Sequence, residues 1–174
     1  MRTLLDRLYL VSGVLAALFM VTIASVVLAQ IVGRFLGFVV PSATEIAGFC
    51  VAASAFLALA PTLQHGGHIR VTLVLEHLPK RVHRWVELWC LAVAFGMTLY
   101  FARWVIDLVL GSIRFGDVSP GLLAVPLWIP QLAMAIGLVI FAICLLDNLI
   151  MVLRTKGEPA YRAFEQTGAA EEVL

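Results

Sequence analysis

The sequence predicts an all-α membrane protein with four transmembrane helices and both termini on the cytoplasmic side. Hydrophobic residues make up 62% of the 174-residue chain and charged residues only 13%. This leaves too few polar side chains to cover the surface of a soluble domain. Four stretches approach the roughly 20 apolar residues that a membrane-spanning helix needs. Lys and Arg lie mostly on one side of these stretches, and this asymmetry indicates the orientation.

The first two spans differ in composition. The first covers about residues 8–32 and has no charged residue. Its apolar run is longer than the hydrophobic region of a cleaved signal peptide, so it is predicted to remain as a span. The second covers about 46–63 and is rich in small residues. Its Gly48 and Ala52 form a small-xxx-small pair, which lets another helix approach closely.

The last two spans are predicted at about 85–106 and 127–153. Pro130 lies in the first turns of the fourth span, where a missing N–H costs least. The stretch 154–174 is polar and is predicted as a cytoplasmic tail. Tryptophans near the predicted boundaries are typical of membrane interfaces: Trp85, Trp89, Trp104 and Trp128.

The orientation follows from the basic residues. Nine Lys or Arg side chains lie before the first span, between the second and third, or after the fourth. The opposite side has three, which are Arg34, Arg103 and Arg114. By the positive-inside rule the loops 33–45 and 107–126 face outward, which in a bacterium means the periplasm.

The charged residues of the spans are predicted to lie near the span ends. Glu87 and Asp147 lie close to basic residues on the inner side, and Arg103 has Asp107 at i,i+4 on the outer side. A charge in the middle of a bilayer costs about 3 kcal/mol or more, so this placement favours interface anchors over a proton path. It argues against a subunit that itself conducts ions or protons.

Other chemistry is not indicated. A haem bundle needs histidines within its spans, and a thiol-oxidising enzyme needs paired cysteines, whereas Cys50, Cys90 and Cys144 are isolated in apolar runs. No Walker loop, G-x-S-x-G or H-E-x-x-H occurs. The net charge of +1 argues against a nucleic-acid partner. We therefore predict neither an enzyme nor a cofactor.

All four histidines fall in the loop between spans two and three. A metal site is disfavoured because Gly66 and Gly67 separate His65 from His68, and no further close ligands complete a tetrahedral set. A basic loop that meets anionic lipid headgroups is the simpler interpretation.

The same loop contains a short amphipathic pattern at about 69–78. Its apolar residues recur at i, i+3, i+4 and i+7, which predicts an interfacial helix along the cytoplasmic surface: Val71, Val74, Leu75 and Leu78. Pro79 ends the element. A short strand is the alternative, because residues 69–73 also alternate.

Three segments in this order carry a family resemblance: TEIA at 44–47, GGHIRVTLVLEHLP at 66–79 and GDVSPGLLAVPLWIPQLAM at 116–134. Over residues 5–153 the chain resembles the small membrane subunit (DctQ type) of TRAP (tripartite ATP-independent periplasmic) transporters. The resemblance implies a bacterial inner-membrane scaffold for a large permease subunit. It also implies a periplasmic binding protein that captures an organic acid, and uptake driven by an ion gradient, commonly sodium. Substrate and ion sites would belong to the large subunit.

The resemblance also points to residues that contact a partner or lipid. Glu45 matches the acidic residue at the head of the second span, where it caps the helix or meets its positive end. His68 and Arg70 lie in the H-I-R-V segment, which implies contact with the large subunit or with headgroups. Asp117 and Ser119 lie in an outer loop that faces the docked binding protein or forms a plain turn.

Two alternatives stay open from the sequence. One is a stand-alone four-helix membrane protein, either a small exporter or a membrane enzyme. The other is a membrane assembly factor without a transport role. The transported substrate does not follow from this chain, because the residues that choose it would lie in the other subunits.

Overall fold

A computed structural model describes residues 2–64 and 80–154, with side chains described for 4–64 and 85–153. The predicted interfacial helix at 69–78 lies outside the described residues, as do His68, Arg70 and the predicted tail beyond residue 154. The described residues form four helices, which we label α1 to α4: Arg2–Leu36, Ala43–Gln64, Lys80–Phe115 and Trp128–Arg154. Each contains a stretch long and apolar enough to cross a membrane. The predicted all-α fold with four such helices is confirmed.

Helices α2 and α4 form the centre of the domain. Helix α1 packs on α2, α2 on α4, and α4 on α3. In the most apolar stretch of each helix, 33% of α2 and 39% of α4 is buried, against 11% of α1 and 17% of α3. The two flanking helices therefore leave most of their apolar surface uncovered by the described chain.

The central pair packs with its backbones close together at Gly137 of α4. A Cβ atom at this glycine would lie 2.6 Å from the backbone carbonyl of Phe56. The close approach expected from the small residues of α2 is therefore present, but Gly48 does not make it. Gly48 is exposed, and no described atom lies within 4 Å of its Cβ position. The buried face of α2 instead carries Cys50, Ala53, Ser54, Leu57 and Ala60.

A proline within α2 explains how α1 is held. Pro61 has no N–H, so the carbonyl of Leu57 lacks its usual i+4 donor. The hydroxyl of Ser12 on α1 donates to this carbonyl at 2.5 Å, and Ser12 is 1% exposed. The next residue, Gly13, brings α1 against the proline ring, because its Cβ position lies 3.5 Å from Pro61. The contact replaces the lost helical hydrogen bond with an interhelical one.

Polar side chains also occur in the buried core, near the start of α1 and the ends of α2 and α4. Cys144 of α4 lies with its Sγ 3.7 Å from the carbonyl of Ala60, and Asn148 donates to the carbonyl of Cys144 at 2.8 Å. Tyr9 of α1 packs in the same cluster and is 1% exposed. These contacts tie α1 and α4 to the same segment of α2.

The flanking helices are longer than their predicted spans. Helix α1 has 35 residues and α3 has 36, against 22 in α2 and 27 in α4. Helix α3 continues to Phe115, nine residues past the predicted boundary at residue 106. Asp107 and Arg114 lower the hydropathy of this segment, but neither prevents helix formation. Hydropathy thus predicts the most apolar part of a helix, and the helix itself can extend beyond that part.

Candidate functional site

Three of the five predicted contact residues lie at one end of the domain. Here α1 and α3 end and α2 and α4 begin; we call it the outer end, following the orientation predicted from the basic residues. The end of α1 is fixed by Gly37, whose φ of 81° allows the N–H of Phe38 to bond the carbonyl of Gly33 at 2.9 Å. Gln30 then donates to Thr44 at 3.1 Å, which ties α1 to the first turn of α2.

The start of α2 combines helix-starting residues with unpaired polar atoms. Ser42 and Glu45 have the S-x-x-E spacing of a capping box, and the carbonyl of Ser42 accepts the N–H of Ile46 at 3.0 Å. Ser42 has a φ of 55°, and its Oγ is buried without a hydrogen-bond partner in the described structure. Glu45 Oε2 is also buried without one. The carboxylate lies in the first turn, where the positive end of the helix favours it.

The loop after α3 is held by its own backbone hydrogen bonds. Gly116 has a φ of 67° and lets the N–H of Asp117 bond the carbonyl of Ser112 at 3.1 Å. The N–H of Leu127 then bonds the carbonyl of Asp117 at 3.0 Å, so α4 begins beside the end of α3. Between these points Val118 and Pro126 form an isolated antiparallel bridge. The side chain of Asp117 is exposed, while its backbone takes part in these hydrogen bonds.

Ser119 organises the tip of the loop. It is 4% exposed, its N–H bonds the carbonyl of Val125 at 2.8 Å, and its Oγ accepts the N–H of Gly121 at 3.2 Å. This is a side-chain turn of the kind that Ser favours. The Ser119 hydroxyl is therefore used within the loop, whereas Asp117 presents its carboxylate to the surroundings.

Gly121 brings the loop onto α2. A Cβ atom at this glycine would overlap the Glu45 carboxylate, with the carboxyl carbon only 2.5 Å away. Glu45, Ser119 and Gly121 are thus in one contact region. The Oε1 of Gln131, in the first turns of α4, is likewise buried without a partner in the described residues. Sequence reasoning missed Gln131 and Gly121, since no local pattern marks a contact between α2 and a loop some 75 residues later.

The outer end also exposes apolar side chains. Exposed hydrophobic side chains come from both outer loops and from the adjoining helix ends: Phe35, Leu36, Phe38, Val39, Phe115, Leu122 and Leu123. Contiguous exposed apolar groups mark surfaces that contact protein or membrane. Together with the exposed Asp117 carboxylate, they make a surface suited to binding.

The chemistry of this end is that of a contact surface. Among the described residues, no three His, Cys, Asp or Glu side chains come together to hold a metal ion. Asp117 offers exposed oxygen acceptors, whereas Oε2 of Glu45 is buried and its carboxylate lies against Gly121. Such an arrangement can receive hydrogen bonds or a basic side chain from another protein.

The comparisons with known proteins bear on the chain as a whole. The sequence model of one family, described as Tripartite ATP-independent periplasmic transporters, DctQ component, matches residues 23–155. The match covers more than half of the 174 residues and includes both sides of the outer end. A comparison with curated proteins gives no significant match.

Proposed function

The chain belongs to the DctQ family, the small membrane subunits of TRAP transporters, and on this premise we propose that it is a static scaffold for the large permease subunit. The complete transporter would take up an organic acid across the bacterial inner membrane. A sodium gradient would drive this uptake, and a periplasmic binding protein would deliver the substrate. The substrate and ion sites would lie in the large subunit and not in this chain.

The central helix pair is the observation that carries the scaffold role. Between α2 and α4 the buried side chains of α2 are Ala, Cys, Ser and Leu, with no carboxylate or basic group. The backbones of the pair approach closely at Gly137, where a Cβ atom would lie 2.6 Å from the Phe56 carbonyl. A closely packed, largely apolar centre supports a subunit that holds a neighbour in place.

The uncovered flanks support the presence of that neighbour. Exposed apolar side chains run along α1 and α3 for most of their length. Lipid or another membrane protein must cover such faces. In a tripartite transporter the large permease subunit is the natural partner for at least one of them.

The outer end is the proposed contact for the periplasmic binding protein. With the predicted orientation it faces the periplasm, and its ordered loop presents the Asp117 carboxylate beside exposed apolar groups. We also propose that Glu45 supports this contact, since its carboxylate lies against the loop at Gly121. His68 and Arg70 belong to the opposite side in this orientation, where we propose contact with the large subunit or with lipid headgroups.

Co-purification tests this function. A tagged chain is expressed with its large permease subunit, extracted in mild detergent and sized by gel filtration. We expect the two to elute as one complex. Elution of the chain alone, with the permease present but separate, would contradict the proposal. Vesicles that contain only this chain should not move substrate, and transport by them would instead identify a small exporter.

A further inference from the structure

Helix α3 carries an exposed ion pair whose depth in the membrane follows from its neighbours. Helix α2 has 22 residues, or about 33 Å of helix, so nearly all of it is needed to cross a hydrocarbon core of about 30 Å. Glu45 at the outer end of α2 contacts Gly121 in the loop that follows α3. The outer membrane surface therefore lies near this loop and near the end of α3 at Phe115.

Arg103 and Asp107 lie well below that surface. They are 12 and 8 residues before Phe115, which corresponds to about 18 Å and 12 Å along the helix. In a core of about 30 Å these positions fall on either side of the middle. Helix α3 packs along α4, and its buried residues recur from Glu87 to Ser112.

This pair is exposed where lipid would be the default surrounding. The predicted i,i+4 ion pair is present, and its side chains are 68% and 41% exposed. Arginine has five N–H donors, and one carboxylate satisfies only part of them. Snorkelling serves basic residues near helix ends, but Arg103 is more than three turns from the end of α3. The remaining donors therefore need a partner at this depth.

The pair belongs to a face shaped for another helix. Gly96, Tyr100, Arg103 and Asp107 follow the i, i+4, i+7, i+11 spacing of one helical side. Gly96 is exposed, and no described atom lies within 4 Å of its Cβ position, so a second backbone has room to approach. Tyr100 is 62% exposed and can pack beside such a helix.

We propose that this face of α3 is covered by a membrane-spanning helix of the large permease subunit, which presents a hydrogen-bond acceptor to Arg103. The acceptor is a carbonyl or carboxylate oxygen, because guanidinium donors match these groups. The proposal rests on the scaffold function above. It adds which flank of this chain meets the permease and which side chain fixes the register of the two helices.

Site-specific photocrosslinking tests this assignment in the purified complex. A photoreactive phenylalanine analogue replaces Tyr100 on the proposed face or, as a matched control, Leu18 on α1, which is similarly exposed at 57%. We expect a crosslink to the permease from position 100 and none from position 18. Crosslinks from position 18 alone would overturn the proposal. Crosslinks from position 100 only to lipid or to a second copy of this chain would also overturn it.

A charge-removal variant separates this inference from the proposed function. Arg103→Leu with Asp107→Leu makes α3 more apolar, so the chain should still insert and fold, as circular dichroism of the purified chain would show. We expect at least a tenfold loss of permease in the co-purified fraction. Full retention by the folded double variant would refute the assignment while leaving the scaffold function intact. A wild-type chain that purifies without permease would overturn both.

Discussion

Helices α1 and α3 flank the same central pair, yet their uncovered faces differ in chemistry. Both have about 35 residues, and both expose apolar side chains over most of their length. Between Arg7 and Arg34, α1 has no Asp, Glu, Lys, Arg or His. Its exposed Thr22 and Ser25 donate to carbonyls of their own helix at 2.9 Å and 2.8 Å. Their hydroxyl groups therefore need no hydrogen-bond acceptor from the surroundings.

Helix α3 has the opposite character on its exposed face. Its Arg103 and Asp107 leave charge and unused donors at the surface. Equal exposure in the isolated chain therefore does not imply equal surroundings in the membrane. Polar groups whose hydrogen bonds are made within their own helix can face lipid. Polar groups that lack such bonds within the membrane need a partner from another protein.

Giving α1 the charges of α3 should have the largest effect of the changes considered. Leu18→Arg with Thr22→Asp places an i,i+4 pair 12 and 8 residues inward from Gln30, which lies at the outer end through its bond to Thr44. Each charge costs about 3 kcal/mol at mid-membrane when lipid surrounds it. We expect little of this variant to accumulate in the membrane, measured by immunoblot of membrane fractions. Wild-type accumulation would show that α1 is covered by protein.

The next effect concerns the central pair that positions both flanks. Gly137→Ala forces a methyl group against the Phe56 carbonyl, and overpacking of this kind costs about 1–3 kcal/mol. We expect a clearly lower thermal unfolding temperature in detergent. Gly48→Ala is the matched control. Its Cβ position is open, so this substitution should change the unfolding temperature little. Equal effects from the two substitutions would contradict the observed packing of α2 on α4.

Much of this organisation could be predicted from the sequence, because its causes are local. The existence of four helices follows from apolar runs, and the Arg103–Asp107 pair follows from i,i+4 spacing. Pro61 in the sequence already implies a carbonyl at Leu57 without its helical donor.

Other features depend on contacts between distant segments. The donor to the Leu57 carbonyl is Ser12, 45 positions away, and no pattern near either residue links them. The meeting of Glu45 with Gly121 likewise depends on how α2 and the α3–α4 loop come together. The full length of α3 was not predictable from hydropathy, which ended the third span at residue 106 while the helix continued to Phe115.

Helices α1 and α3 are alike at their outer ends. Both helices end with a glycine at positive φ, 81° at Gly37 and 67° at Gly116. Replacement of either by Ala costs about 1–2 kcal/mol, because an L-residue is strained in the left-handed region. We expect similar losses of thermal stability from Gly37→Ala and Gly116→Ala. A large difference between them would mean that the two helix ends are not equivalent.

The smallest expected effect distinguishes two serines on α1. Ser12→Ala leaves the buried Leu57 carbonyl without a donor, and interhelical hydrogen bonds in membranes contribute about 1 kcal/mol. Ser25→Ala removes only a hydrogen bond to its own helix, and it should lower the free energy of unfolding by about a few tenths of 1 kcal/mol. Unfolding in detergent would compare them. A cost for Ser25→Ala as large as for Ser12→Ala would show that the outer part of α1 also bonds to a neighbour.

Reconstituted uptake tests the central claim most directly. Vesicles are prepared with the large permease subunit, with or without this chain, and the binding protein loaded with a carboxylate substrate is added outside under an inward sodium gradient. We predict gradient-dependent uptake only when the chain is present, together with stable retention of the permease in the complex. Equal uptake by the permease without this chain would contradict the account.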